Sequence, residues 1–309
     1  MLEGPQRRSI GAVALREPSG EPETTSLPCS TLAPPGSLRV LACNGNNTLP
    51  LGCPSHLRRY DSRMPPYKEQ GVVLRSIKLG EADKIVTVMT QGSGKVRAVA
   101  KGIRKTTSRF GARLEPFTHV NLMLYRGRGA LDTITQAEII APHMSIRGDL
   151  ALFAAGETML EAVDRVAEEH EKNLRVMLLL LSGCRALDSK PADPSAVAES
   201  FLLKLLSLSG FHPSLTACAV CGEVDPQLWD AGMGGAVCAR CAERGAGSCS
   251  RAALEYLSTL ALTDLAEVGG AVQPEPRVVK ESRAMLYGFA EYHFERRMKS
   301  VPMLVRTAL

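Results

Sequence analysis

GVVLRSIKLGEADKIVTVMTQGSGKVRAVAK, residues 71 to 101, decides the fold of the first half of the chain. It contains three short runs rich in Val, Ile and Thr, separated by turn-forming Gly, Asp and Ser, and such runs are typical of β-strands. Two similar runs follow it. The predicted strands are Gly71 to Leu79, Ile85 to Thr90, Lys95 to Lys101, Phe117 to Tyr125 and Leu131 to Glu138. The segment therefore predicts an all-β module.

The connections between these strands indicate the type of barrel. Gln91 to Gly94 and Arg126 to Gly129 are Gly-rich and predict hairpin connections, whereas a long connection follows the third strand. Five strands in about 70 residues with this spacing suit an OB-type Greek-key barrel. An SH3-like barrel is the alternative, because strand count alone does not separate the two. We expect an OB-fold domain over residues 64 to 142.

Beyond Pro142 the apolar residues change to helical spacing. Leu150, Phe153 and Leu160 recur at helical steps behind Asp149, a predicted N-cap. Further predicted helices are Asn173 to Leu187, Ser195 to Ser209, Ser250 to Leu265 and Pro276 to Lys299. A chain of 309 residues is long enough for two domains. The predicted fold class is α+β, an OB-fold β-barrel followed by an α-helical domain over residues 143 to 309.

Residues 1 to 63 differ in composition from the remainder of the chain. They contain 8 Pro and 6 Gly, and Tyr60 is their only aromatic residue. Such a segment buries too little apolar surface to offset the entropy lost on ordering. We expect either a disordered tail or a translation start assigned too far upstream, because the regular pattern begins just after Met64.

Four cysteines in the helical half have the spacing of a metal site. Cys218-Ala-Val-Cys221-Gly222 is followed, after 16 residues that include Gly222, by Cys238-Ala-Arg-Cys241. Each pair can bind one metal from a tight turn, and two pairs complete a tetrahedral sulfur shell, for which zinc is the usual ion. No position remains open for substrate, so we expect one structural zinc in a ribbon-like insertion at residues 218 to 241. The alternatives are four thiols without a metal and an iron–sulfur cluster.

Positive charge is concentrated in the predicted barrel. Residues 64 to 150 contain 14 Lys and Arg against 7 Asp and Glu, a net charge of +7, although the whole chain carries only +5. Five cations lie between Lys101 and Arg113 without an acid, and the hydroxyls of Thr106 to Ser108 add hydrogen-bond donors for phosphate. This asymmetry favours contact with a nucleic-acid backbone, and a solvated loop is the alternative. The predicted DNA-binding residues are Lys95, Arg97, Lys101, Arg104, Lys105, Arg109, Arg113, Arg126 and Arg128.

Other function classes find little support in the sequence. The chain has no GxxxxGK[ST] loop, and its histidines form no obvious catalytic constellation. Asp132 and Glu138 could be imagined as magnesium ligands of a nuclease, but two isolated acids are a weak signal. No apolar run approaches the ~20 residues of a membrane helix, and no signal-peptide core is present. We therefore expect a non-catalytic cytoplasmic protein with reduced cysteines and no membrane partner.

The order and spacing of several motifs resemble the bacterial RecO family of DNA repair and recombination mediators over about residues 66 to 300. The stretches that carry this resemblance are Gly71 to Leu74, Gly80 to Asp83, Thr90 to Gly94, Ala100 to Arg104, Leu114 to Phe117, Leu205 to Gly210 with Pro213 and Leu215, and Cys218 to Gly222.

The resemblance implies an OB-fold, a helical domain and, in many members, a zinc ribbon-like insertion. It implies binding of single- and double-stranded DNA, annealing of complementary strands, and cooperation with RecR to help RecA replace single-strand-binding protein (SSB). Docking of the SSB tail on the helical domain is expected. The family's DNA contact falls on the loop that holds Lys101, Arg104, Lys105, Arg109 and Arg113. A zinc-ribbon RNA-binding or transcription factor is the first alternative, and a metal-dependent nuclease is the second.

Overall fold

The computed structural model describes residues 65–105, 108, 110–127, 129–270 and 274–307. The predicted tail, residues 1 to 63, lies outside this part of the chain. Five strands come first: β1 Tyr67–Leu79, β2 Asp83–Thr90, β3 Gly94–Ala100, β4 His119–Tyr125 and β5 Asp132–Ala141. The five predicted strands are therefore confirmed in number and order, and they differ from the prediction only at their ends.

The strands close into a barrel in the order β1-β2-β3-β5-β4. Antiparallel ladders join β1 to β2, β2 to β3, β4 to β5 and β1 to β4, whereas β3 and β5 run parallel. This crossover is the Greek-key connection of an OB-type barrel, so that prediction is confirmed over the SH3-like alternative.

The fourth strand begins two residues later than predicted because Phe117 has a backbone φ of 69°. That left-handed conformation is unusual for a bulky residue and interrupts the extended chain. The ring of Phe117 turns away from the barrel interior and packs edge-on against Phe153, with ring centroids 5.6 Å apart. Phe117 is fully buried.

The second half of the described chain is helical. Its helices are α1 Met144–Gly148, α2 Leu150–Val166, α3 Leu174–Asp188, α4 Pro194–Leu208, α5 Arg251–Leu262, α6 Leu265–Val268, α7 Pro276–His293 and α8 Val301–Thr307. The side chain of Asp149 accepts the backbone N–H of Leu152, which confirms the predicted N-cap of α2. No helix in the described ranges has the length and apolar content needed to cross a membrane.

Two predicted helices are too long. The helix expected over Ser250 to Leu265 ends at Leu262, because Asp264 starts a new turn by accepting the backbone N–H of Ala266. The helix expected over Pro276 to Lys299 ends at His293. The chain reverses there through Glu295, whose φ is 52°.

The barrel and the helices share a hydrophobic core. Val72, Leu74, Met89 and Phe117 of the barrel are buried in the same cluster as the apolar faces of α2, α3 and α4. Gly156 on α2 makes this approach possible, because a Cβ there would lie 2.6 Å from the Phe117 ring. This shared buried cluster packs the barrel directly against the helices.

Candidate metal centre and DNA-binding surface

The two cysteine pairs each lie in a tight hydrogen-bonded turn. In the first, the N–H of Gly222 donates to the carbonyl of Cys218 at 2.9 Å. Gly222 has a φ of 74°, a left-handed conformation that would be strained in a residue with a side chain. In the second, the N–H of Cys241 donates to the carbonyl of Cys238 at 3.0 Å. The backbone thus brings both members of each pair to one side of its turn.

The four sulfur atoms converge. Those of Cys218, Cys221, Cys238 and Cys241 all lie within 4.8 Å of one another, and the sulfurs of Cys221 and Cys238 are 3.7 Å apart. A tetrahedral zinc with bonds of about 2.3 Å requires sulfur–sulfur distances of about 3.8 Å. The cluster can therefore hold one metal ion, as the spacing predicted.

Hydrogen bonds within the cluster shift the pKa values of these thiols. Backbone hydrogen bonds, first from Cys221 and then from Cys238, lower the pKa of Cys218 to about 6. In contrast, side-chain hydrogen bonds with Cys221 and Cys238 raise the pKa of Cys241 to about 12. The pKa values of Cys218 and Cys241 are therefore shifted in opposite directions within one cluster.

A small three-stranded sheet carries the cysteine turns and attaches them to the helices. Its strands are β6 Leu228–Asp230, β7 Gly235–Val237 and β8 Gly247–Ser248, in the order β7-β6-β8. Trp229 packs on Phe289 of α7 with ring centroids 5.8 Å apart. Cys249 and His212, which are near the four cysteines in sequence, lie outside the sulfur cluster.

The basic loop, which we define as Lys101 to Arg113, is anchored to the barrel by its apolar residues. Ile103 and Phe110 are buried in the barrel core, as is Leu114 directly after the loop. Phe110 is only 1% exposed and therefore does not offer its ring for base stacking. The apolar side chains point inward, whereas Arg104 and Lys105, which follow Ile103, are exposed to solvent.

The described cations of the basic loop lie on its surface. Lys101, Arg104, Lys105 and Arg113 are all exposed. Arg104 donates to the carbonyl of Gly80 at 3.2 Å and so connects the basic loop to the β1–β2 turn. Arg109, Thr106 and Thr107 lie outside the described residues.

Lys95 and Arg97, which the sequence groups with the basic loop, instead face the helical domain. Lys95 Nζ donates to the backbone carbonyl of Asp164 at 2.6 Å, and Arg97 lies 3.4 Å from a carboxylate oxygen of Glu169. The backbone makes the same contact, since the N–H of His170 donates to the carbonyl of Lys95 at 3.0 Å. The structure therefore separates these two cations from the basic loop.

Arg126 lies beside the barrel in the β4–β5 connection, and Arg128 lies outside the described residues. The guanidinium of Arg126 lies over the ring of Tyr67 at 5.6 Å from its centroid. Asp132 is buried and accepts hydrogen bonds from the hydroxyl of Tyr67 and, at 3.1 Å, from the N–H of Gly127. Sequence reasoning missed this anchoring role of Asp132, because it depends on a contact 65 residues away.

These contacts leave the nuclease alternative without support in the structure. Asp132 is buried and hydrogen-bonded, whereas Glu138 is exposed further along β5. Within the described ranges, the four cysteines form the only group of metal-ligand side chains that converges.

Comparison with known proteins agrees with this architecture. The model of the recombination protein O N-terminal domain matches residues 64–143, and that of the recombination protein O C-terminal domain matches residues 147–302. The chain is 43% identical over 246 residues to the DNA repair protein RecO of Frankia casuarinae, which covers 79% of this chain and all of that relative.

Two further relatives give the same result. The DNA repair protein RecO of a Nocardioides species is 43% identical over 246 residues, covering 78% of this chain and 99% of the relative. The DNA repair protein RecO of Streptomyces coelicolor is 40% identical over 247 residues, which cover 77% of this chain and 98% of the relative. The barrel, the helical domain and the sequence matches together show that the chain belongs to the recombination protein O family of DNA repair proteins.

Proposed function

We propose that the protein binds single- and double-stranded DNA through the phosphate backbone and anneals complementary strands without ATP. The observation that carries this proposal is the basic loop, whose described cations are exposed while its apolar residues are fixed in the barrel core. Each cation that neutralises a phosphate releases a condensed counterion, and this release favours binding independently of sequence.

Annealing follows from the same chemistry. Two complementary strands repel each other through their phosphates, and a surface that neutralises part of this charge lowers the barrier to their encounter. Base recognition is left to the strands themselves. The protein needs no nucleophile, general base or nucleotide-binding loop for this task, and we propose that it is not an enzyme.

We further propose that one zinc ion is held by Cys218, Cys221, Cys238 and Cys241 and stabilises the fold. The proposal is supported by the convergence of the four sulfurs and by the distance of 3.7 Å between two of them. Protein ligands fill all four positions of such a site, so the ion would stabilise the ribbon and would not act on substrate.

The family suggests the partners. We propose that the protein acts with RecR to help RecA replace SSB on single strands, and that the acidic SSB tail docks on the helical domain. This role would place the protein on DNA in the bacterial cytoplasm.

An annealing assay tests the proposed function. Labelled complementary DNA strands are mixed with the protein, with and without magnesium and ATP, and duplex formation is followed over time. We expect faster annealing that requires neither addition. Degradation of the strands on adding magnesium would indicate a nuclease, and a clear preference for RNA would indicate an RNA-binding factor; either result contradicts the proposal.

A further inference from the structure

The loop between α7 and α8 has a backbone fixed by side chains of α2. Arg165 donates to the carbonyl oxygen of Arg296 at 3.1 Å and to that of Arg297 at 2.6 Å. The same guanidinium lies 2.5 Å from the carboxylate of Glu161, one helical turn earlier. The loop is therefore held through its own carbonyl groups, and these contacts do not use its side chains.

The following residues of the loop are fixed through their amides. Glu161 accepts the backbone N–H of Lys299 at 2.9 Å and that of Ser300 at 2.8 Å. Glu291 accepts the N–H of Met298 at 3.0 Å. A loop bonded at successive peptide groups has little conformational freedom, so it presents its side chains in a defined arrangement.

The fixed loop presents three cations to solvent. Arg296, Arg297 and Lys299 are exposed, and within the described ranges their side chains form no hydrogen bond or ion pair. Beyond Glu295 the sequence contains three arginines and one lysine but no acid. Positive charge that is built into a rigid loop and left unmatched points to an anionic ligand.

A groove of about 1000 Å³ lies between this loop, α2 and strand β1 of the barrel. Its carboxylates are mostly engaged, because Asp164 lies 2.7 Å from Arg75 and Glu161 is occupied by Arg165 and the loop amides. The remaining acid is Glu157, whose pKa is raised by burial and then by Glu161. The rim of the groove formed by the loop is consequently positive.

Strand β1 connects this groove to the basic loop of the barrel. Arg75 lies in the groove, Lys78 is exposed further along the strand, and Gly80 accepts the hydrogen bond from Arg104. At about 3.3 Å per residue, the five residues from Arg75 to Gly80 span roughly 17 Å, which is about the rise of five base pairs. A strand of DNA is long enough to contact both basic regions.

We propose that Arg296, Arg297 and Lys299 form a second phosphate-binding site, on the helical domain, that extends the DNA path from the basic loop across strand β1. The inference rests on the proposed function and adds to it a named site outside the barrel. A strand held at two places on one packed body is kept extended, which leaves its bases open to a complementary strand.

The test compares two double variants of the full chain with the unmodified protein. In Arg296→Ala/Arg297→Ala, two cations are removed while the backbone carbonyls that bind Arg165 remain, so folding should be preserved. The matched control is Arg277→Ala/Lys280→Ala, which removes two exposed cations near the start of α7. Arg277 lies about 24 Å along the helix axis from His293, where the loop that carries Arg296 and Arg297 begins. Binding to a long single strand is measured against salt, with the melting temperature as a check of folding.

We expect the slope of log affinity against log salt to fall by about 1.4 in the first variant and to stay unchanged in the control. Between about 50 and 200 mM salt, the affinity of the unmodified protein should then fall roughly sevenfold more than that of the first variant. Equal slopes in the two variants would overturn the inference. The inference would also be overturned if Arg296→Ala/Arg297→Ala kept the salt slope of DNA binding but lost binding of an acidic peptide, because the site would then serve a protein partner.

The test separates this inference from the proposed function. An unmodified protein that does not bind DNA would contradict both. A protein that binds DNA and loses affinity on Arg104→Ala/Lys105→Ala, but not on Arg296→Ala/Arg297→Ala, would retain the proposed function and reject the second site alone.

Discussion

Lys95 Nζ donates a hydrogen bond of 2.6 Å to the backbone carbonyl of Asp164 and lies 3.6 Å from the carboxylate of the same residue. The carboxylate of Asp164 also forms an ion pair with Arg75, whose Nε lies 2.7 Å from Oδ2. One residue of α2 therefore receives two cations from two strands of the barrel. This relationship gives Lys95 a role in holding the two domains together.

The first prediction concerns this contact. Lys95→Met keeps most of the apolar stem but removes the charge, and should lower the free energy of unfolding by about 1 to 2 kcal/mol. Arg97→Met is the matched comparison, and its more exposed ion pair with Glu169 should contribute less than about 1 kcal/mol. Urea denaturation measures both. A fall of about 0.7 in the salt slope of single-strand binding in Lys95→Met would instead identify Lys95 as a DNA contact.

The second prediction concerns the basic loop. Changing Arg104, Lys105 and Arg109 together to Ala should weaken binding to all DNA sequences alike. Each lost phosphate contact should reduce the slope of log affinity against log salt by about 0.7 for single strands and ~0.9 for duplex. Annealing should slow in parallel, while the melting temperature hardly changes, because no described member of the three belongs to the barrel core. Retention of both the slope and the annealing rate would show that the loop is only a solvated surface.

The third prediction is one zinc per chain, measured by elemental analysis of protein purified without chelator. Replacing Cys218 or Cys241 by Ser should lower the melting temperature by at least about 5 °C, because a structural metal contributes directly to folding. Some DNA binding should remain, since the basic loop lies in the other domain. Cys184→Ser is a useful control because Cys184 is buried away from the cluster and should not change the zinc content. Absence of zinc from the unmodified protein would defeat this prediction.

The fourth prediction concerns residues 1 to 63, whose composition offers no core. A protein that begins at Met64 should unfold cooperatively and bind DNA with the affinity of the full chain. Circular dichroism melting and a DNA-binding titration measure the two properties. Loss of cooperative unfolding in the shorter protein would show that the preceding residues pack against the fold.

The fifth prediction concerns pH. Burial, with smaller contributions from His143 and Arg185, lowers the pKa of His119 below its usual value of 6.5. The unfolded chain therefore binds a proton more readily than the folded protein, and stability should decline as the pH falls below about 6.5 towards the lowered value. The free energy of unfolding of the His119→Gln variant should fall less over this interval, with a difference of up to about 1.4 kcal/mol per pH unit. Urea midpoints at about pH 7.5 and 5.5 measure the difference, and parallel declines in both proteins would contradict the assignment to His119.

Several features could be predicted from the sequence because each depends on neighbouring residues. Short runs rich in Val, Ile and Thr between turn-forming residues predicted the five strands. Asp149 marked the start of α2, since an N-cap bonds to an amide only three residues away. The cysteine pairs were recognisable for the same reason: a spacing of two residues places both sulfurs on one tight turn. The long connection after β3 and its cations were also visible as a local pattern.

The remaining features depend on contacts between distant residues, and only the tertiary structure decided them. Lys95 and Arg97 resemble other cations in the sequence, but the packing of α2 and the segment after it against β3 pairs them with Asp164 and Glu169. The loop after the last long helix is fixed by Glu161, which lies more than 130 residues before Lys299 and accepts its backbone N–H. Local patterning specifies a segment's preferred conformation, whereas the partner that each charge meets is fixed only when the hydrophobic core brings the segments together.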